Sequence, residues 1–191
     1  MTYHHPLFSA SAGRDNDELR KAWKPIFDKY NVDLALQGHD HSYARGRVSP
    51  EDNVLDGMNA RDKTGTVYVV SVSGGKMYSV SEEGWKGKGA ERDRKAENTQ
   101  LFQVINIDGD KLSFESYTAI GELYDAFDLV KQENGINEFI ERKAEAGDER
   151  RFSNTIPYED PLPENLQTIL LSKYPGNEIT RVSASKKKNG A

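Results

Sequence analysis

The chain of 191 residues contains no cysteine. That excludes a disulfide framework and any thiolate metal site, leaves the redox compartment open, and restricts a bound metal to nitrogen and oxygen ligands. Histidine is scarce as well: there are four, and none lies beyond His41. No apolar run approaches the ~20 residues of a membrane-spanning helix, and the N-terminus lacks the basic region and long apolar stretch of a signal peptide. A net charge of −5, with 30% of residues charged and both signs mixed, offers no general attraction for nucleic acid or an anionic membrane. Neither is expected as a partner. Lys186-Lys187-Lys188 reads as a solvated basic tail. The length suits one domain with its own core, plus extensions.

The few histidines are gathered in two clusters, His4-His5-Pro6 and Gly38-His39-Asp40-His41. Imidazoles placed together at the ends of apolar runs are arranged like metal ligands or acid/base groups. Residues 1 to 8 run into the first cluster with almost no strand before it. Ser9 to Asn16 reads as a loop that delivers Asp15 or Asn16 as an N-cap. From Asp17 to Tyr30, Leu19, Trp23, Ile26, Phe27 and Tyr30 recur at helical spacing, with Pro25 set to kink or shorten the helix. Asn31 is a C-terminal stop, and Val32 to Leu36 is a short apolar strand leading into the second cluster. Ligands of open α/β sheets bind outside the carboxyl ends of strands, so the two clusters are placed to meet.

Downstream the pattern is of strands, over Gly65 to Ser73, Thr99 to Ile107, Lys111 to Thr118 and Leu123 to Val130. Asp108-Gly109-Asp110 is a hairpin signal, and Gly121-Glu122 makes the next turn. Ser81 to Asn98, charged and with three glycines, reads as a mobile surface loop or short polar helix. Ile136, Phe139 and Ile140 indicate a short amphipathic helix. Residues 144 to 165 form a Pro-rich, charged extension, and Leu166 to Leu171 reads as a last helix.

His39 and His41, one residue apart in an extended loop, can point to one side, Gly38 allowing a sharp turn there. With His4 or His5 they supply three nitrogens to one ion or to two neighbouring ions. The run Tyr3-His4-His5-Pro6-Leu7-Phe8, a helix, Tyr30-Asn31-Val32-Asp33-Leu34, and then Gly38-His39-Asp40-His41-Ser42-Tyr43-Ala44-Arg45 resembles the C-terminal half of the calcineurin-like metallophosphoesterases, closest to the purple acid phosphatase branch. The resemblance covers roughly residues 1 to 130. It implies an α/β fold: the C-terminal half of a four-layer α/β/β/α sandwich with a mixed sheet, residues 131–191 being a helical or irregular extension. It implies hydrolysis of phosphate esters at two divalent or trivalent ions (Fe, Zn or Mn). By the family pattern His4 and His39 are ligands of the second metal and His41 of the first. His5 stands beside the site as a catalytic proton donor, a supporting group or a plain loop histidine. Tyr43 and Arg45 follow the motif near the substrate, with packing roles as their alternatives, and Arg14 is a further substrate-proximal candidate.

The motifs that give this family its bridging aspartate, its asparagine and its other ligands are absent from the 191 residues. Three neutral nitrogens do not offset two divalent charges. The expectation is therefore a half-site, cut or mis-started at Met1, inactive alone, and partnered by a missing N-terminal half. Exposed apolar surface and self-association would accompany it. The resemblance further implies a periplasmic or secreted location. Two other readings stand beside this one: a binding module holding a single zinc through His4, His39 and His41, and a scaffold whose histidines only satisfy loop hydrogen bonds.

Overall fold

In the computed structural model the described residues are 1–48, 63–81, 84–132, 137–142, 149–151 and Ser172. Their elements in chain order are β1 (Thr2–Tyr3), α1 (Asp17–Lys29), β2 (Leu34–Gln37), β3 (Tyr43–Arg47), β4 (Lys63–Thr64), β5 (Val67–Val70), β6 (Glu91–Glu97), β7 (Leu101–Asp108), β8 (Lys111–Thr118), β9 (Leu123–Lys131), β10 (Asn137–Arg142) and β11 (Glu149–Arg151). They form a mixed six-stranded sheet, in the order β1-β2-β5-β3-β6-β11, and an antiparallel five-stranded sheet, in the order β4-β10-β9-β8-β7.

Side chains alternate across the mixed sheet with the two-residue period of a strand. Leu34, Tyr43, Val67 and Val69 point to one side, where they join Leu101, Phe114, Phe127, Leu129 and Phe139 of the antiparallel sheet in one core. Ala35, Ala44 and Tyr68 point to the other, against Phe27 of α1, Leu7, Phe8 and Trp85. Three layers result: helix, mixed sheet, antiparallel sheet. The fold is thus of the α/β type. A fourth, helical layer is not among the described residues. Gly46 shows how tightly the helix side is packed, since a Cβ there would lie 2.1 Å from the Glu91 carbonyl oxygen and 2.5 Å from the Trp85 ring.

Arg45 crosses the space between the sheets. It is wholly buried on β3 and meets Asp125 of β9 at 2.7 Å, Asp93 of β6 at 3.1 Å and Glu141 of β10 at 2.6 Å. Tyr43 donates its hydroxyl to the same Asp125 at 2.6 Å. A guanidinium out of water is tolerable only with such partners, and its planar fork suits a carboxylate.

The helix lies where its spacing predicts, and Asn16 precedes it, but the Asn16 amide caps nothing and donates instead to the Pro6 carbonyl at 2.7 Å. The hairpin at Gly109 pairs Asp108 with Lys111. Two segments differ from the sequence expectations. The loop or helix expected over Ser81 to Asn98 contains strand β6, paired with β3, and the buried Trp85, which stacks on Phe8 at 5.1 Å. Its sequence Glu-Arg-Asp-Arg-Lys-Ala-Glu has no apolar alternation: Ala96 alone enters the apolar core, and Asp93 pairs with Arg45 and Arg47 of β3. The helix expected at Ile136 to Ile140 is β10, paired with β9 from Asn137↔Lys131 to Arg142↔Ala126. Phe139 is buried there while Ile140 is exposed, which is strand alternation.

The first compact unit spans Met1–Phe152. The second, Ser153–Ala191, is described only at Ser172, which is helical. Of the extension expected over residues 144 to 165, Glu149–Arg151 is strand β11, paired in parallel with β6, and the rest lies outside the described residues, as does the helix expected at Leu166 to Leu171. Apolar side chains are exposed on β7, which ends the antiparallel sheet: Phe102, Val104 and Ile107. Among the described residues, no helix is long and apolar enough to cross a membrane.

Candidate metal centre

Parallel pairing of β1 with β2 sets Thr2 beside Leu36 and Tyr3 beside Gln37. The next residues on each strand, His4 and Gly38, therefore leave the sheet together, and Gly38 N–H donates to the His4 carbonyl at 3.0 Å. This is the carboxyl end of two neighbouring parallel strands, where open α/β sheets bind their ligands. The buried amide oxygen of Gln37 fixes the exit by accepting from the Tyr3 hydroxyl at 2.9 Å and from Leu7 N–H at 2.7 Å. Arg20 of α1 donates to the Leu7 carbonyl at 3.1 Å. Gln37 was not among the sequence candidates; the signal available was a polar residue closing the apolar run Leu34-Ala35-Leu36.

The sharp turn falls on His39, not on Gly38. Asp40 N–H donates to the Gly38 carbonyl at 2.8 Å, and His39 between them has φ +65°. These features describe a γ-turn of the rare positive-φ kind, which costs an L-residue backbone energy. The turn breaks the alternation that would have aimed His39 and His41 to one side.

Three imidazoles meet. His39 Nδ1 lies 2.9 Å from His4 Nε2, and the ring of His5 is centred 4.2 Å from that of His39 and 5.0 Å from that of His4. Among the described residues, His4, His5 and His39 form the one group of three or more potential ligands, each offering one nitrogen and all within 4.8 Å of one another. Partial burial, the Arg14 cation and the neighbouring imidazoles hold His39 below the usual histidine pKa, favouring the neutral ring that metal ligation requires. The donor set fits a borderline ion such as zinc, which takes imidazole nitrogen readily.

His41 is not in this group. Its Nδ1 lies 2.7 Å from the Lys76 carbonyl, and its ring stacks on Tyr78 at 5.0 Å. A carbonyl only accepts, so Nδ1 carries a proton, which in the neutral ring leaves the lone pair on Nε2. Metal-ligating histidines are commonly oriented this way.

Between His39 and His41, Asp40 is wholly buried and organises the facing loop. Its Oδ2 accepts from Ser9 Oγ at 2.7 Å, Ala10 N–H at 2.8 Å and Ser11 N–H at 3.4 Å, while Arg14 pairs with Oδ1. Arg14 thus stands close enough to bear on His39, with 32% of its side chain exposed. Tyr43 and Arg45 do not line this site. Both are buried and bound to Asp125 between the sheets, so the substrate-proximal reading of these two is replaced by a structural one.

No protein-family model matches the chain, and no curated protein matches it. Among solved structures it is similar to the purple acid phosphatase PPD1 isolated from yellow lupin (Lupinus luteus) seeds, at 21% identity and a TM-score of 0.48, over 70% of this chain. The match spans 25% of the length of that phosphatase chain.

Proposed function

We propose that the chain carries the histidine side of a metal centre that hydrolyses phosphate esters. The carrying observation is the convergence of His4 and His39, ring nitrogens 2.9 Å apart, at the carboxyl ends of β1 and β2. The two motifs that hold them, His4-His5-Pro6 and Gly38-His39-Asp40-His41, are those on which the metallophosphoesterase resemblance rests. In this reading His4 and His39 hold one ion of a pair and His41 Nε2 the other, with iron, zinc or manganese as candidates. In this reading the carboxylate ligands would have to come from outside these 191 residues. When bound, such ions polarise a phosphoryl oxygen and make water a nucleophile near neutral pH.

The remaining groups position and balance. Asp40 holds the Ser9 to Arg14 loop against the centre, and its charge offsets that of Arg14. In this reading the exposed part of Arg14 would offer charge-assisted hydrogen bonds to a phosphate dianion. The Lys76 carbonyl fixes the His41 tautomer.

The test is hydrolysis of p-nitrophenyl phosphate with Zn²⁺, Mn²⁺ or Fe³⁺ added, by this chain alone and by a protein in which the N-terminal segment precedes it. No turnover by the chain alone, and metal-dependent turnover by the longer protein that His41→Ala abolishes, is the expected result. Turnover by this chain alone would overturn the half-site; a longer protein that binds two ions and hydrolyses no phosphate ester would overturn the reaction.

A further inference from the structure

We infer that His5 is a metal ligand, and that His4, His5 and His39 together bind one divalent transition ion without any help from His41 or from a second metal. The inference concerns the same histidines as the proposed reaction but does not rest on it: it would stand if the chain hydrolysed no ester.

The geometry is that of three ligands around an absent centre. At a tetrahedral zinc with Zn–N of about 2.0–2.1 Å, neighbouring ligand nitrogens lie roughly 3.3 Å apart. His4 and His39 are at 2.9 Å, so seating an ion requires them to part by roughly 0.4 Å. Ring centroids around such an ion lie about 5 Å apart by the same bond lengths, and the three here are separated by 5.0, 4.9 and 4.2 Å. The rings are mutually tilted, at 78°, 84° and 49°, as ligands converging from different directions are, rather than stacked.

Hydrogen bonding accounts for two of these rings and leaves the third. His4 and His39 face each other, one donating to the other. His5 has neither a hydrogen bond nor an ion pair among the described residues, although it lies against both rings. It is also anchored from behind: Pro6 follows it, and Asn16 and Gln37 fix residues 6 and 7 by hydrogen bonds at 2.7 Å each. A side chain with a free nitrogen, on a backbone held on both sides, keeps its place at little entropic cost. His4 and His5 are exposed and His39 partly so, which leaves an open side for water or an anion at the fourth position. Three nitrogen ligands with one open position is the coordination of reactive rather than purely structural zinc sites.

The experiment is calorimetric titration of the metal-free chain with Zn²⁺ at pH 7.5, repeated with Co²⁺ while the visible spectrum is recorded. The expected result is one ion per chain, with the strong visible bands of four-coordinate cobalt. Loss of a partner that merely orients a ligand costs about 10–100-fold in affinity, and loss of a ligand costs at least as much. His5→Ala, His4→Ala and His39→Ala should each weaken binding by about a hundredfold, and His41→Ala should leave it within about threefold of the parent. His5 is exposed, so His5→Ala folds as the parent does; matching circular dichroism checks this. Parent affinity retained in His5→Ala, loss of binding in His41→Ala equal to that in His4→Ala, or no stoichiometric binding by the parent would each overturn the inference. None of these outcomes depends on whether a phosphate ester is cleaved.

Discussion

Arg45 and Asp125 join the two sheets through a paired contact, Nε to Oδ2 at 2.7 Å and Nη2 to Oδ1 at 3.0 Å, with neither side chain reached by more than a trace of solvent. The pair is bidentate, and it lies beside the core that the sheets share, the guanidinium over the rings of Phe127 and Phe139. Removing one member leaves the other charged, buried and unmatched, which typically costs about 3–5 kcal/mol. Arg45→Met should therefore lower unfolding stability by about that amount, measured by denaturant titration. Arg45→Lys should recover little of it, because an ammonium cannot make the fork. Zinc affinity should be unchanged in whatever fraction remains folded. A loss below about 1 kcal/mol would mean that the pair is dispensable to the sandwich.

Much of this arrangement was legible in the sequence, and the failures share a cause. Helix α1, the hairpin at Gly109 and the meeting of the two histidine clusters follow from periodicity, turn chemistry and the rule for strand ends. Those signals are local. Strand β6 escaped because it has no apolar alternation, and its Asp93 is answered by Arg45 and Arg47, from a part of the chain far away in sequence. Arg45 was set beside the substrate for the same reason: adjacency to His41 is visible in sequence, whereas Asp125 is eighty residues on. Phe139 and Ile140 look alike on paper, and only the partner strand β9 decides which one is covered. The γ-turn at His39 could not be read either, since a non-glycine residue with positive φ has no distinct local signature.

The role assigned to Asp40 carries its own consequence. Four groups of the Ser9 to Arg14 loop converge on this buried carboxylate; of its two backbone N–H donors, that of Ser11 also reaches Ser9 Oγ at 3.2 Å, whereas the buried Ala10 N–H has no second acceptor among the described residues. Asp40→Ala should destabilise the chain by about 1–3 kcal/mol for the stranded donors, and hydrogen exchange of the Ala10 and Ser11 amides should quicken disproportionately. Asp40→Asn keeps one acceptor and should fall in between. Exchange at Ala10 and Ser11 that rose no more than at the β8–β9 ladder would indicate that the loop is held by packing alone.

Acid should weaken the junction between that loop and α1. Asp15 accepts from Arg20 at 2.7 Å and pairs with Lys88 at 3.0 Å, and hydrogen bonds from these two cations hold its pKa down at about 2. Its value in the unfolded chain is about 3.9. The folded value is the lower one, so the stabilising contribution is fully present above about pH 4 and is lost as pH falls towards 2. The side chain is 44% exposed, and solvent screening keeps the effect small. Asp15→Asn should melt below the parent at pH 6, and the gap should close as pH approaches 2. A gap that stayed constant with pH would assign the loss to the altered amide rather than to the ion pairs.

His39 occupies backbone that suits glycine better than an L-residue, and the ring's place beside His4 is the counterpart of that strain. An L-residue with positive φ costs about 1–2 kcal/mol relative to glycine, whereas glycine loses about 0.4–1 kcal/mol through the greater freedom of the unfolded chain. His39→Gly should consequently equal or exceed His39→Ala in unfolding stability, a reversal of the usual order at an ordinary position. Asparagine's tolerance is for the left-handed helical region rather than for a γ-turn, so His39→Asn should gain no more than His39→Ala. All three substitutions should weaken zinc binding to the same extent, about a hundredfold, because each removes the same nitrogen. Stability restored by glycine while binding stays weakened would separate the two demands on residue 39, one of backbone and one of ligand. Alanine more stable than glycine would show instead that the turn is relaxed, and that its positive φ stores no energy at the metal site.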